Sequence, residues 1–291
     1  MPNTTTTSKI SLENAYAECR RMATHYENFP VGSVLVPKAL RHHFFALYAF
    51  MRTADDFADL PSRSSAERLT LLADWRGKLQ SMLDGTEPEH PVFIALCNTI
   101  EERHLPTAPL FKLLEAFEFD AKGDVHFQTI DDLRWYTARS ADPVGELVLA
   151  LFGHSDPNLI VLSNEICTGL QLLNFIQDIK EDLENGRYYF PAEDWEMFEI
   201  TPSLNPDIDK LRLLSLFELK RVEDLIDRGA PIAELVGGRL GFELRAVIHS
   251  ARRLIQKIIR IDGNCYQMRP TLTKRERLLV LLQSMLVRAS V

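Results

Sequence analysis

Signals for β-structure are scarce in this sequence: no Asn-Gly or Asp-Gly pair sits between alternating apolar and polar runs, and β-branched clusters are short. That argues against a sheet-based fold. Gly-rich phosphate loops of the GxGxxG and GxxxxGK[ST] kinds are missing, as is a GxSxG elbow, so nucleotide-dependent and hydrolase chemistry lack their usual marks. The four cysteines, Cys19, Cys97, Cys167 and Cys265, show neither CxxC nor Cys/His spacing and read as ordinary thiols in a reducing, cytoplasmic compartment. The eight histidines form no recognisable metal triad in the sequence. An excess of basic charge is lacking too: 33 Lys and Arg against 41 Asp and Glu leave a net charge of −8, which argues against a nucleic-acid partner. No run reaches the ~18 uninterrupted apolar residues of a membrane span. Residues 1–9 are polar and Thr-rich, without the basic start and apolar run of a secretory signal, and are expected to form a disordered tip.

What the sequence has in quantity is helical periodicity, on a chain that is 46% hydrophobic and so able to bury a sizeable core. The pattern predicts helices over residues 10–28, 38–59, 64–84, 91–104, 107–121, 130–153, 157–185, 207–228, 239–261 and 271–288. Most prolines fall between these segments or in their first turns, where a missing N–H costs least. Pro143 is the exception, and the 130–153 segment is expected either to kink there or to begin anew. The polar stretch Glu193 to Asp209 reads as a loop, and no repeat or linker divides the chain, so residues 10–291 are expected to form one all-α domain. The tail carries Leu278, Leu279, Leu281, Leu282 and Met285 with Lys274, Arg275, Arg277 and Arg288, a pattern that suits either a terminal helix docked on the core or peripheral membrane contact.

Two acidic segments stand out, Asp55-Asp56-Phe57-Ala58-Asp59 and Asn174-Phe175-Ile176-Gln177-Asp178-Ile179-Lys180-Glu181-Asp182. A helix turns about 100° per residue, so Asp55 and Asp59 share one face, as do Gln171, Asn174, Asp178 and Asp182. An acidic row that meets only water usually carries Lys or Arg at i+4, whereas these rows pair acid with acid. Magnesium fits such rows, because it takes a few carboxylate oxygens completed by water and phosphates. Candidate ligands are Asp55, Asp59, Asn174, Asp178 and Asp182. Arg52 and Tyr48 lie on nearly the face of Asp55, where Arg52 could share phosphate charge or simply pair with Asp55 or Asp56. Gln171 and Asn174 sit among Leu170, Leu172, Leu173, Phe175 and Ile176, where a polar group is costly without a partner. Arg187 and Tyr188, past the helix stop at Asn185-Gly186, could close over the site or belong to an ordinary surface loop. His25, with Asn28 and Phe29, could reach phosphate or substrate, or cap a helix. Aromatic residues such as Tyr136 and Phe175 could pack the core or line a cavity as cation-stabilising faces.

In these residues the chain resembles the squalene and phytoene synthase family. The resemblance is carried by Tyr48 through Arg52 into Asp55-Asp56-Phe57-Ala58-Asp59, by Tyr136 through Val144-Gly145-Glu146, and by Gln171 through Asp178 and Asp182 into Gly186-Arg187-Tyr188-Tyr189-Phe190-Pro191, over roughly residues 12–270. It implies an all-α isoprenoid synthase bundle in which both acidic motifs face a central cavity and hold Mg2+ on a prenyl diphosphate. It also brings Tyr136, Asp142 and Gly145 forward as substrate-binding positions. Glu27-Asn28-Phe29-Pro30-Val31 and Ser140-Ala141-Asp142-Pro143-Val144-Gly145 resemble most the hopanoid-pathway branch, which converts presqualene diphosphate to hydroxysqualene with water and no NADPH. Asp56, Gln171 and Asp142 are then the candidates to position or deprotonate that water. Head-to-head condensation to presqualene diphosphate, squalene or phytoene is the alternative within the family. A non-catalytic assembly or lipid-binding relative is the alternative outside catalysis. Other enzymes of the squalene pathway are the protein partners the resemblance implies.

Overall fold

The computed structural model describes residues 10–25, 36–123 and 125–286, so Asn28, Phe29 and the tip at 1–9 lie outside the described residues. Fourteen α-helices and one 3-10 turn make up the regular structure there, and the sole β pairing is an isolated bridge between His126 and Tyr188. Contacts group the chain into two compact units, residues 1–107 and 108–291.

The first unit holds α1 (Leu12–His25), a 3-10 turn (Lys38–Leu40), α2 (Arg41–Ala58), α3 (Ser65–Leu83) and α4 (Pro91–Arg103). The segment expected as one helix over 38–59 thus opens as a 3-10 turn and stops at Ala58, with Asp59 as its cap. A capping box starts α3: the Ser64 hydroxyl accepts from the Glu67 N–H, and the Glu67 carboxylate accepts from the Ser64 N–H at 2.8 Å. Ala46, Leu47, Ala49, Phe50 and Ala54 bury the apolar face of α2. Phe50 stacks on Trp75 at 6.0 Å, and Trp75 meets Phe93 at 4.5 Å, so an aromatic cluster joins α2, α3 and α4.

A buried polar knot ties α1, α2 and α4 together. His43, only 3% exposed, places Nε2 3.2 Å from the Glu102 carboxylate and Nδ1 3.0 Å from the Thr99 hydroxyl, which in turn lies 3.1 Å from Tyr16. His42, His43 and Glu102 bring their donor atoms within 4.8 Å of one another, a grouping the sequence spacing did not reveal. Both ring nitrogens of His43 are already engaged, so the geometry is that of a hydrogen-bonded brace. Burial pushes the His43 imidazole down to about 4, against a lesser opposing pull from Glu102. A histidine that binds its proton more weakly folded than unfolded leaves stability intact above about pH 6.5 and removes it as pH falls toward 4. We expect a loss of about 2 kcal/mol from this residue between pH 7 and pH 5. Urea midpoints at the two pH values should show that loss in the wild type and much less of it in His43→Gln.

The second unit holds α5 (Ala108–Lys122), α6 (Ile130–Ser140), α7 (Asp142–Leu151), α8 (Pro157–Gln177), α9 (Ile179–Glu184), α10 (Ala192–Met197), α11 (Ile208–Gly229), α12 (Ile232–Val236), α13 (Gly238–Arg260) and α14 (Lys274–Leu286). Helix α8 is its axis. By length and composition it could cross a membrane, yet half of it is buried inside the unit, where Leu172, Leu173 and Ile176 join the main core cluster. It packs most intimately on α11, where a Cβ on Gly229 would meet Ile166 at 2.7 Å and the Leu162 carbonyl at 2.8 Å. Arg228 of α11 closes the same contact by donating to Glu165 at 2.8 and 3.0 Å.

Of the two outcomes expected for the 130–153 segment, the restart is the one found: α6 ends at Ser140 and α7 begins anew at Asp142, with Pro143 in its first turn where its ring is tolerated. Two expectations need correction. The 157–185 segment is two helices, because Asp178 leaves helical geometry (φ −100°, ψ 8°) between α8 and α9. The polar stretch from Glu193 is not all loop. Within α10, Asp194 is fully buried and takes both arms of Arg221 from α11, which also donates to Glu218 at 2.7 Å. The fork satisfies Asp194, which would otherwise be costly to bury, whereas Glu218 has only one oxygen bonded and burial pushes it up to about 8.

Helix α7 lies so close to α8 that a Cβ on Gly145 would meet Ser163 Oγ at 2.3 Å and Cys167 Sγ at 2.6 Å. Gly145→Ala should therefore destabilise the protein by about 1–3 kcal/mol through overpacking. Thermal unfolding should show the drop, and Ser163→Ala in the same chain should recover part of it.

Candidate active site

The first acidic row sits at the end of α2. Arg52 lies one turn before it and forks, with Nη1 2.9 Å from Asp55 and Nη2 2.7 Å from Asp56. Both carboxylates remain more than a third exposed, so water screens this pairing. Asp59, exposed, follows the last helical residue and donates its backbone N–H to the Asp55 carbonyl at 3.0 Å, which keeps it one turn from Asp55. Tyr48 is half-buried on the same helix. Arg41 has turned back to donate to the Val36 carbonyl at 2.9 Å. His25 is the last residue of α1, and its side chain lies outside the described part.

The second row runs across the junction of α8 and α9. Although Asp178 breaks the helix, its N–H still bonds the Asn174 carbonyl at 2.8 Å, and the Asp182 N–H bonds the Asp178 carbonyl at 2.9 Å, so the i, i+4 succession survives. Asn174 is exposed and Gln171 half-buried, so burial imposes no cost that a ligand must relieve at Asn174. Its place in the row rests on helical spacing alone. The neighbour that does carry such a cost is Gln177, which is buried and donates to the Pro270 carbonyl at 2.7 Å. Asp178 is held by the Arg269 guanidinium, a partner the sequence gave no spacing to find.

Asp182 is 8% exposed and is the most strained charge of the row. A Schellman turn explains how it acquires its cation. Gly186 takes the left-handed conformation (φ 69°) and bonds Leu183, while the Arg187 N–H reaches back to the Asp182 carbonyl at 2.8 Å. The turn folds the Arg187 side chain over α9 to within 3.3 Å of the Asp182 carboxylate. Burial nevertheless pushes Asp182 up to about 7; Arg187 opposes the shift, while Asp178 and Glu181 add to it. A buried carboxylate short of positive charge, in line with another carboxylate and an amide, is a donor set suited to a hard divalent cation.

Beyond the turn the chain is extended, and successive side chains alternate. Tyr188 turns to the His126 ring at 4.7 Å, whereas Tyr189 stacks flat on Phe175 at 3.8 Å and lies 6.0 Å from Tyr136. Tyr136, 3% exposed, places its hydroxyl 3.0 and 2.9 Å from the two oxygens of Asp120 and donates to one of them. Phe119 and Phe127 complete an aromatic wall around it. Sequence reading singled out Tyr136 and Tyr188 but missed Tyr189 and Asp120. The two-residue alternation from Arg187 was the signal available for Tyr189.

Asp142 opens α7, half-buried. Thr168 of α8 sits 2.9 Å from its carboxylate and 3.0 Å from Thr137, which lies 3.2 Å from the Arg134 carbonyl. Burial pushes Asp142 up to about 7, countered by Thr168 and Lys112 and reinforced by Glu165. The hydroxyl chain suits either charge state. An ionised Asp142 accepts from Thr168; a neutral one donates to Thr168, which then donates to Thr137, whose own proton goes to the Arg134 carbonyl. Gly145, one turn on, serves the α7 to α8 packing described above. A further acid, Glu243 on α13, is 7% exposed and is pushed up to about 7 by burial, with Arg239 opposing.

Comparisons with known proteins agree on the kind of protein. The profile described as Squalene/phytoene synthase matches residues 22–276. A phytoene synthase from Arthrospira platensis is 31% identical over 225 residues, which cover 72% of each chain. A hydroxysqualene synthase from Zymomonas mobilis subsp. mobilis is 30% identical over 244 residues, covering 81% of this chain and 80% of its own. The crystal structure of squalene synthase HpnC from Alicyclobacillus acidocaldarius shares the fold with a TM-score of 0.79 at 36% identity, over 87% of this chain and 96% of that one. With both acidic rows, their arginines and the aromatic wall all inside the matched span of an all-α chain, the protein belongs to the squalene/phytoene synthase family.

Proposed function

We propose that the protein is a magnesium-dependent lyase that converts presqualene diphosphate and water to hydroxysqualene and diphosphate, without NADPH, in hopanoid biosynthesis. The observation that carries the water-capturing branch is Asp142, a half-buried acid held near neutrality at the head of a hydroxyl chain. Likeness to HpnC and to hydroxysqualene synthases supports the same branch. The setting is the cytoplasm, with other squalene-pathway enzymes as neighbours.

In this reading Asp55 and Asp59 on α2, and Asn174, Asp178 and Asp182 on α8 and α9, are the residues that would hold magnesium. The metal supplies Lewis-acid withdrawal of charge from the departing group. Arg52 and Arg187, already paired to the acids, turn a share of their hydrogen bonds to phosphate oxygens. The carbon–oxygen bond breaks heterolytically, and diphosphate leaves with the electron pair. Tyr136, Phe175 and Tyr189 offer their faces to the resulting carbocation as it rearranges. Water then adds through its oxygen, and its proton passes to ionised Asp142. No oxidation or reduction is involved.

Incubation with magnesium and presqualene diphosphate in ¹⁸O-labelled water should yield labelled hydroxysqualene by mass spectrometry, and Asp55→Asn and Asp178→Asn should each lose at least 100-fold in turnover. Unchanged turnover in both variants would remove the magnesium assignment. Asp142 acts as a base only when ionised, so hydroxysqualene formation should rise with pH through about 7. Asp142→Asn should abolish that rise while diphosphate release persists; equal loss of both would make Asp142 structural. A second reading rests on the 31% identity to a phytoene synthase: condensation of two prenyl diphosphates. Consumption of farnesyl or geranylgeranyl diphosphate, with presqualene diphosphate left untouched, would establish it instead.

A further inference from the structure

The last two helices of the second unit, α13 and α14, share a surface whose chemistry the interior does not explain. Helix α14 is fixed in rotation by its inner stripe. Val280 and Ser284 are buried, Arg245 donates to the Ser284 carbonyl at 3.0 Å, and Lys257 donates to Glu276 at 2.8 Å and to the Thr271 carbonyl at 2.7 Å. At about 100° per residue, Leu278 and Leu282 then stand opposite Val280, with Leu279 and Leu281 on the flanks. The four are 59%, 48%, 47% and 37% exposed. With Val280 and Ser284 facing inward, these four leucines form an exposed apolar band on the outer side of α14, a pattern suited to a helix with an apolar medium on that side.

Charge tells what that medium is. Lys274, Arg275 and Arg277 are exposed in the first turn of α14, and among the described residues none of the three has an ion-pair partner. Alongside runs a groove lined by His249, Arg252, Arg253, Lys257 and Arg260, where the carboxylate of Glu276 is already shared by Lys257 and Arg253. This basic concentration arises on a chain of net charge −8, so it is local and not a reflection of bulk composition. Arg252 in that groove pairs with Asp227 at 2.7 Å, so the bases left to a partner are Lys274, Arg275 and Arg277, and exposed leucines bordered by these three match a leaflet whose acyl chains lie under anionic headgroups.

We propose that the α13 and α14 surface docks the protein on membrane containing anionic lipid, with Leu278, Leu279, Leu281 and Leu282 entering the acyl boundary and the basic residues meeting headgroup phosphates. The proposal does not depend on which reaction the interior performs. Flotation of the full-length protein with vesicles tests it. Binding is expected to phosphatidylglycerol-containing vesicles and not to phosphatidylcholine alone, and it should weaken as salt rises. Leu278→Gln with Leu282→Gln should abolish it. Lys274→Gln with Arg275→Gln should weaken partition by about fivefold per charge removed; that pair alters no buried side chain, so it keeps the test open should the leucine variant misfold. Failure to bind anionic vesicles, or binding that neither variant changes, overturns the proposal. So does a solution dimer that the leucine variant dissociates, because a second copy would then cover the face.

Discussion

The close seating of α8 among its neighbours is the constraint on which the second unit depends. Gly229 and Gly145 let α11 and α7 approach nearer than any larger residue allows, and Leu172, Leu173 and Ile176 lock the buried side of α8 into the core. Each such side chain contributes about 1.5–3 kcal/mol on burial. That anchoring fixes where the polar line of the helix emerges. Asn174, Asp178 and Asp182 follow from it, and the break at Asp178 preserves the line because its backbone bonds to Asn174 and Asp182 continue the i, i+4 step. Thr168, on the same helix, reaches Asp142 across the α7 contact. Both the acidic row and the hydroxyl chain therefore inherit their geometry from one packed helix.

Burial also sets charge. Asp182, Asp142 and Glu243 are each pushed up to about 7, in each case by loss of water more than by any neighbour. Their partners differ in kind. Asp182 has a cation folded back over it by the Gly186 turn, Asp142 has a hydroxyl that can serve as donor or acceptor, and Glu243 has Arg239 nearby. The Arg221 knot is a useful contrast, since there the guanidinium binds Asp194 with two hydrogen bonds and Glu218 with a third, an arrangement that braces α10 on α11. Asp194 thus has both oxygens bonded by one guanidinium, whereas Asp182 and Asp142 keep capacity for a further partner.

Helix positions were legible in the sequence because apolar residues recur at helical spacing and prolines sit at the joints. The break at Asp178 was not, and at Pro143 the sequence left open whether the helix kinks or restarts. At Ala141 the new helix begins one residue before Pro143, and the spacing of Tyr136, Thr137 and Gly145 reads the same for a kink as for a restart. At Asp178 the hydrogen-bond succession is kept, so no side-chain pattern registers the change. Helix α10 was missed because its short, acidic sequence looks solvated, and its burial depends on Arg221, 27 residues away from Asp194. The acidic rows were readable because their logic is local. Asp120 under Tyr136, Arg269 on Asp178 and Thr168 on Asp142 were not, since each depends on contacts between separate segments that composition and periodicity do not encode.

The same distinction separates the inner and outer faces of α14. Its leucines were equally visible as a docking stripe or as a membrane-facing one while the register was unknown. With Val280 and Ser284 placed inward, Leu278 and Leu282 lie on the opposite, exposed side. An enzyme whose proposed substrate and product carry long hydrocarbon chains gains from such a face, because those chains would otherwise cross water at a cost. Acids lie in the rows proposed to meet diphosphate, and bases gather along α13 and the first turn of α14. The net charge of −8 therefore hides a separation of sign, and it is the separation, not the sum, that bears on what each surface can bind.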